Sequence, residues 1–222
     1  MGTDDLFHKR RARLADSHRR EKAKQAPYER VLIVCEGKKT ELCYFRGLCQ
    51  DLRLNPANVV IEDRKSGLDP KSLVTFAVET FKKGRDFDRV YCVFDKDKHA
   101  SYNDTLEKIR ATRLTGGATL HPITSVPCFE IWLLLHFTYT TRSFSTAGSD
   151  SNCKLVIDEL DRKGRIRGYE KGSEGIFEAI SDKLGKAILN AEKLDDFHKT
   201  SRTDNPSTKV HHLVQYLKSL KR

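Results

Sequence analysis

The sequence predicts an α/β protein: a doubly wound, mostly parallel sheet flanked by helices, with a helical extension toward the C-terminus. Three observations predict it. Short apolar runs alternate with amphipathic helical segments up to about residue 126, the alternation that builds parallel crossovers. The first run, Val31 to Cys35, is apolar at every position, as a strand covered on both faces must be. Beyond Pro127 the alternation stops and helical periodicity takes over.

The elements follow in order. Residues 1–29 form a basic arm. Within residues 1–30 there are nine Lys or Arg and five Asp or Glu, and the sizeable apolar residues are only Met1, Leu6, Phe7, Leu14 and Tyr28. That is too little to bury a helix face, so the arm is either a solubilising tail or a phosphate-contacting one. Residues 30–137 form the core. After the first strand comes a helix over 40–53, then a strand at Val59-Val60-Ile61. Asp69-Pro70 opens the next helix, Asp as cap and Pro in the first turn, with Leu73, Val74, Ala77, Val78 and Phe81 as its buried stripe. A third strand over Val90–Phe94, a helix over 103–112 and a fourth strand over 119–124 complete the alternation. Helices are then predicted over 129–137, 153–161, 176–194 and 206–220, and residues 138–222 form a helical region packed on the core. Residues 138–151 hold eight Ser or Thr, which makes this stretch a loop, either a linker or a lid.

Composition narrows the function. The chain has 222 residues, 41 Lys plus Arg against 31 Asp plus Glu, and 38% hydrophobic residues. No apolar run approaches the ~20 residues of a membrane span, and charges occupy the N-terminal stretch where a secretory signal is apolar. A cytoplasmic protein without a membrane partner is expected. The net charge of +10 favours a polyanionic partner, nucleic acid first. The six cysteines contain no C-x-x-C pair and are expected to be reduced, mostly buried thiols.

The chemistry is expected at two strand ends. Glu36-Gly37 follows the first strand, and Asp95-Lys96-Asp97 follows the third. In a sheet ordered 2-1-3 these strands are neighbours, and ligands bind in the crevice beyond their C-terminal ends. Three carboxylates gathered there repel one another unless protons or cations neutralise them. Hard oxygen donors select Mg²⁺ or Mn²⁺, which suits phosphoryl chemistry. Gly37 allows a tight turn, and Lys38 and Lys39 follow where a phosphate would meet the next helix's N-terminus. Lys71, near the start of the following helix, is a further candidate phosphate contact. There is no Walker A loop, so ATP hydrolysis by this chain is not expected. Glu130 lies in the otherwise apolar segment Phe129 to Phe137 and needs a partner once buried. It either adds a carboxylate to the metal centre, caps its helix or binds an Arg. His136 and Trp132 are expected to be core residues.

Glu36-Gly37 and Asp95-x-Asp97 on this frame resemble the Toprim domain of topoisomerases, primases and OLD-type nucleases. The ordered set VLIVCEGKKTELCYF (31–45), DPKSLV (69–74), VFDKD (93–97), PCFEIWLLLHF (127–137), YEKG (169–172) and NPST (205–208) resembles the RloB family over roughly residues 28–220. The resemblance implies a Toprim-like nuclease of bacterial antiphage defence, associated with a separate ATPase subunit. It also implies that Glu36 is the acid/base carboxylate and that Asp95 and Asp97 hold the metal with Glu36 nearby. His99 is a further candidate substrate contact, though no family role attaches to its position.

The expected function is therefore Mg²⁺- or Mn²⁺-dependent hydrolysis of phosphodiester bonds in DNA or RNA, with Glu36, Asp95, Asp97 and Glu130 in the catalytic set. One rival is a non-catalytic nucleic-acid-binding or sensing subunit. Another, ranked lower, is a haloacid-dehalogenase-type phosphohydrolase, suggested by Asp95-x-Asp97 but disfavoured because a complete βα unit precedes the motif. The reading is compatible with a monomer or a homo-oligomer.

Overall fold

A computed structural model of the chain describes residues 29–37, 39–63, 69–84, 86–96, 100–146, 151–162 and 165–220. Most of the basic arm, Lys38, Asp97 and His99 lie outside the described residues.

Five strands form one sheet in the order β2-β1-β3-β4-β5. They are β1 (Val31–Cys35), β2 (Val59–Asp63), β3 (Arg89–Asp95), β4 (Thr119–Val126) and β5 (Ser207–Thr208). All pairings are parallel except β4 with β5. The helices are α1 (Thr40–Asp51), α2 (Pro70–Gly84), α3 (Tyr102–Ala111), α4 (Glu130–Leu135), α5 (Asn152–Asp161), α6 (Leu184–His198) and α7 (Val210–Leu220). The α/β sheet expected from the sequence is thus present, with β1 between β2 and β3.

All of β1 is buried because both of its faces are covered. Val31, Ile33 and Cys35 enter a large core with α1, α4, α5, α6 and α7. Leu32 and Val34 enter a smaller one with α2 and α3. The stripe predicted for α2 is mostly realised, since Leu73, Val74, Ala77 and Phe81 are buried. Asp69 caps as expected: its carboxylate accepts from Lys71 N at 3.0 Å and Ser72 Oγ at 2.7 Å.

Three expectations are corrected. The segment 176–194 is not one helix; α6 begins only at Leu184, after a 3₁₀ turn over Ser181–Lys183. Its early apolar residues, Ile176, Phe177 and Ile180, are buried from a run of turns that faces them into the same core, so their spacing imitates a helix. Asn205-Pro206-Ser207 does not start a helix either. Ser207–Thr208 pairs antiparallel with β4, α7 begins at Val210, and Thr208 Oγ1 accepts from Val210 N at 3.2 Å. Asn205 instead clamps the Ser/Thr-rich loop, accepting from Phe144 N at 3.1 Å and donating to Phe144 O at 2.8 Å. Lastly, Cys128 and Cys153 form a disulfide, with their Cα atoms 5.6 Å apart. They are 25 positions apart in the chain, and only the packing of α5 against the start of α4 makes them neighbours. Cys35, Cys43, Cys49 and Cys92 take part in no disulfide.

Candidate metal centre

The register Cys35↔Val93 sets the C-terminal ends of β1 and β3 side by side, which places Glu36 against Asp95. The Glu36 backbone N–H donates to Val93 O at 2.9 Å, and its carboxylate Oε2 accepts from the Asp95 backbone N–H at 3.1 Å. The end of β3 therefore holds the Glu36 carboxylate in place. Asp95 continues the alternate row Tyr91, Val93, whose members line the core shared with α1 and α4.

Those two helices bring the other acids. Glu130, the first residue of α4, is 2% exposed. Its Oε1 accepts from the Tyr169 hydroxyl at 3.0 Å and lies 3.6 Å from Lys171 Nζ. Its Oε2 is 3.1 Å from Cys153 Sγ; bonded to Cys128, that sulfur has no proton to donate, so this is a packing contact. The partners of this buried carboxylate are thus a tyrosine hydroxyl and a lysine rather than an Arg.

Glu41, in the first turn of α1, completes the group, and the sequence reading passed over it. It is 6% exposed. Its signal was legible: Glu41 falls on the helical stripe of Tyr44, Phe45 and Leu48, so a carboxylate sits where an apolar residue belongs. Gly37 explains how it fits, because a methyl group at that position would overlap the Glu41 carboxylate. The glycine is needed for this close approach as much as for the turn.

Electrostatics bind the four acids into one system. Burial is the largest influence pushing the Asp95 carboxyl well above its usual range, and Glu41, Glu130 and Glu36 add to it; the Phe129 backbone N–H opposes them. Burial likewise raises Glu41 to about 7, against its own backbone N–H, with Glu130 and Glu36 raising it and Lys171 lowering it. Acids pushed up by burial and by mutual repulsion hold protons at neutral pH or take a cation in their place.

The segment 169–172 forms one wall. Tyr169 OH lies 3.4 Å from Thr40 Oγ1, and the Gly172 N–H donates to the same oxygen at 2.9 Å. Gly172 has φ 83° and packs where a Cβ would meet the Lys39 side chain. Lys39 is exposed beside this turn. Lys71 is not brought to the acids: its ammonium stands 3.8 Å from Asp104 at the start of α3, in the layer across the sheet. His136 is core, as expected, with Nδ1 2.9 Å from Trp132 O and burial lowering it to about 4. Trp132 is fully buried.

Carboxylate oxygens suit a hard divalent cation, and at Glu41 and Asp95 a cation would relieve a raised proton affinity. Glu36 and Asp95, joined at the strand ends, are the residues that would hold it, with Glu41 and Glu130 adding negative charge beside them.

A family model described as RloB-like protein matches residues 31–217. No curated protein and no solved structure matches the chain.

Proposed function

The chain belongs to the RloB-like protein family, and from that premise we propose that the acidic pocket is the centre of a Mg²⁺- or Mn²⁺-dependent nuclease. The observation that carries the reading is the convergence of Glu36, Glu41, Asp95 and Glu130, with two of the four pushed upward by their neighbours and by burial. A divalent ion held there would supply Lewis-acid chemistry, polarising a phosphodiester and lowering the pKa of an attacking water.

The chain's own residues supply the rest. Asp95 and Glu36 would hold the metal, with Asp97, two positions beyond Asp95, as the further ligand the resemblance implies. The resemblance gives Glu36 the acid/base role, and Glu41, raised to about 7 in the absence of an ion, is the acid whose proton a bound cation would displace. Glu130 is held by Tyr169 and Lys171 and fixes the wall of the pocket. Lys39 and Lys171, both solvent-accessible beside the acids, counter charge on the phosphate. The net charge of +10 gives sequence-independent attraction to nucleic acid. The biological setting that the family resemblance implies, antiphage defence beside an ATPase subunit, is part of the same proposal.

The test is incubation of labelled DNA and RNA with the chain, with and without Mg²⁺ or Mn²⁺. Cleavage should require the ion and fall at least about 100-fold in Asp95→Ala and Glu36→Ala. Equal cleavage by wild type and both variants would reject the assignment. Salt-sensitive nucleic-acid binding with no cleavage under any ion would favour a binding subunit.

A further inference from the structure

A second group of metal-ligating side chains lies where α6 meets α7, and none of its residues belongs to the acidic pocket. Asp195 on α6 faces His211 and His212 in the first turn of α7. The donor atoms of the three residues all lie within 4.8 Å of one another. His211 Nε2 is 3.5 Å and His212 Nε2 3.4 Å from the same oxygen, Asp195 Oδ2.

These separations are longer than an N–H···O hydrogen bond, which runs about 2.7–3.2 Å. They match the distance between neighbouring donors around a tetrahedral zinc ion, about 3.3 Å for bonds of about 2.0–2.1 Å. The His211 ring is a second, independent observation. It is 1% exposed, and among the described residues the contact at its Nε2 is the long one to Asp195. A buried imidazole nitrogen held at that length is poorly satisfied, which is costly unless something binds between it and the carboxylate. The two rings lie against each other, centroids 3.9 Å apart, so both Nε2 atoms are directed to one spot.

We propose that Asp195, His211 and His212 form a Zn²⁺ site that clasps α6 to α7. Two neutral imidazoles and one carboxylate are a borderline donor set that suits Zn²⁺ and not Mg²⁺. Lys209 is the competing cation, its Nζ 2.8 Å from both carboxylate oxygens. A carboxylate has about four lone-pair sites, so Lys209 would keep Oδ1 and give up Oδ2, the oxygen both rings face, to the ion. The His212 side chain is 56% exposed, which opens the fourth position to water.

The experiment is zinc titration of the full chain by calorimetry, in excess Mg²⁺ to keep the acidic pocket occupied, repeated with Co²⁺ for its visible spectrum. Wild type should bind one Zn²⁺, melt at a higher temperature with it, and give the intense visible absorption of four-coordinate cobalt. His212→Ala, a change at an exposed ring, should keep the wild-type circular dichroism while losing at least tenfold in zinc affinity, the melting shift and the cobalt band; Asp195→Asn should do the same. The proposal is overturned by zinc affinity and cobalt spectra that are the same in wild type and His212→Ala, or by the absence of zinc binding in excess Mg²⁺. Either result leaves the nuclease reading untouched, because its acids are not among these ligands.

Discussion

The two faces of the sheet are built from similar strands yet hold different groups. The face under α2 and α3 is a plain apolar core, Leu32, Val34, Leu73, Val74, Ala77, Phe81, Val90, Cys92, Phe94 and their neighbours, with Thr105 its buried polar residue. Its charged pairs, such as Lys71 with Asp104, sit outside in solvent. The opposite face, under α1, α4, α6 and α7, buries Glu41, Glu130, His136, Asn190 and His211 within or beside the larger core. Burying ionisable groups costs stability, so a chain that concentrates them on one face spends that stability at one place. The difference separates a face that holds the fold together from one where ligands are to be expected.

Substitutions on each side sharpen this contrast. The largest effect on folding should come from the apolar face. Phe81 is 2% exposed, and Phe81→Ala should cost about 3–5 kcal/mol by chemical denaturation while leaving divalent affinity unchanged in the protein that remains folded. Altered metal affinity in that variant would blur the division between the faces.

Next comes pH dependence on the acidic face. The Glu41 carboxyl is raised from 4.5 to about 7 on folding, so the unfolded chain gives up this proton first as pH rises. The group's contribution to stability is full below about pH 4.5 and is lost between there and about pH 7. Relative to wild type, metal-free Glu41→Gln should therefore gain about 3 kcal/mol between pH 4.5 and 8, and saturating Mg²⁺ should erase the gain. A parallel pair of stability–pH curves would mean that Glu41 is not perturbed. The smallest effect is expected at Lys71, whose contact with Asp104 is long and solvent-exposed. Lys71→Ala should change stability by no more than about 0.5 kcal/mol and nucleic-acid cleavage very little. A large loss of cleavage would return this lysine to the site.

The apolar face was the more legible in the sequence, because it is built from local patterns. The runs of β1 and β3, the stripe of α2 and the Asp69-Pro70 cap each declare themselves within a few residues. Glu36 and Asp95 were legible for a topological reason, since strand order alone makes the ends of β1 and β3 neighbours. Glu41 was missed because attention went to acids at strand ends, although its place on the buried stripe of α1 was visible. Ser207–Thr208 escaped because a two-residue strand has no period to detect; it exists only by pairing with β4. The Cys128–Cys153 bond and the approach of Tyr169 and Lys171 to Glu130 depend on how segments far apart in the chain pack, which spacing does not encode.

The central proposal is that a cation held by Asp95 and Glu36 binds among the four carboxylates and displaces protons from those pushed upward, Glu41 and Asp95. Manganese titration calorimetry at pH 7, run in two buffers of different ionisation enthalpy, measures both at once. Wild type should bind Mn²⁺ with net proton release, and Asp95→Asn should lose that binding. Absence of Mn²⁺ binding by the wild type, or binding that releases no proton and survives Asp95→Asn unchanged, would contradict the account.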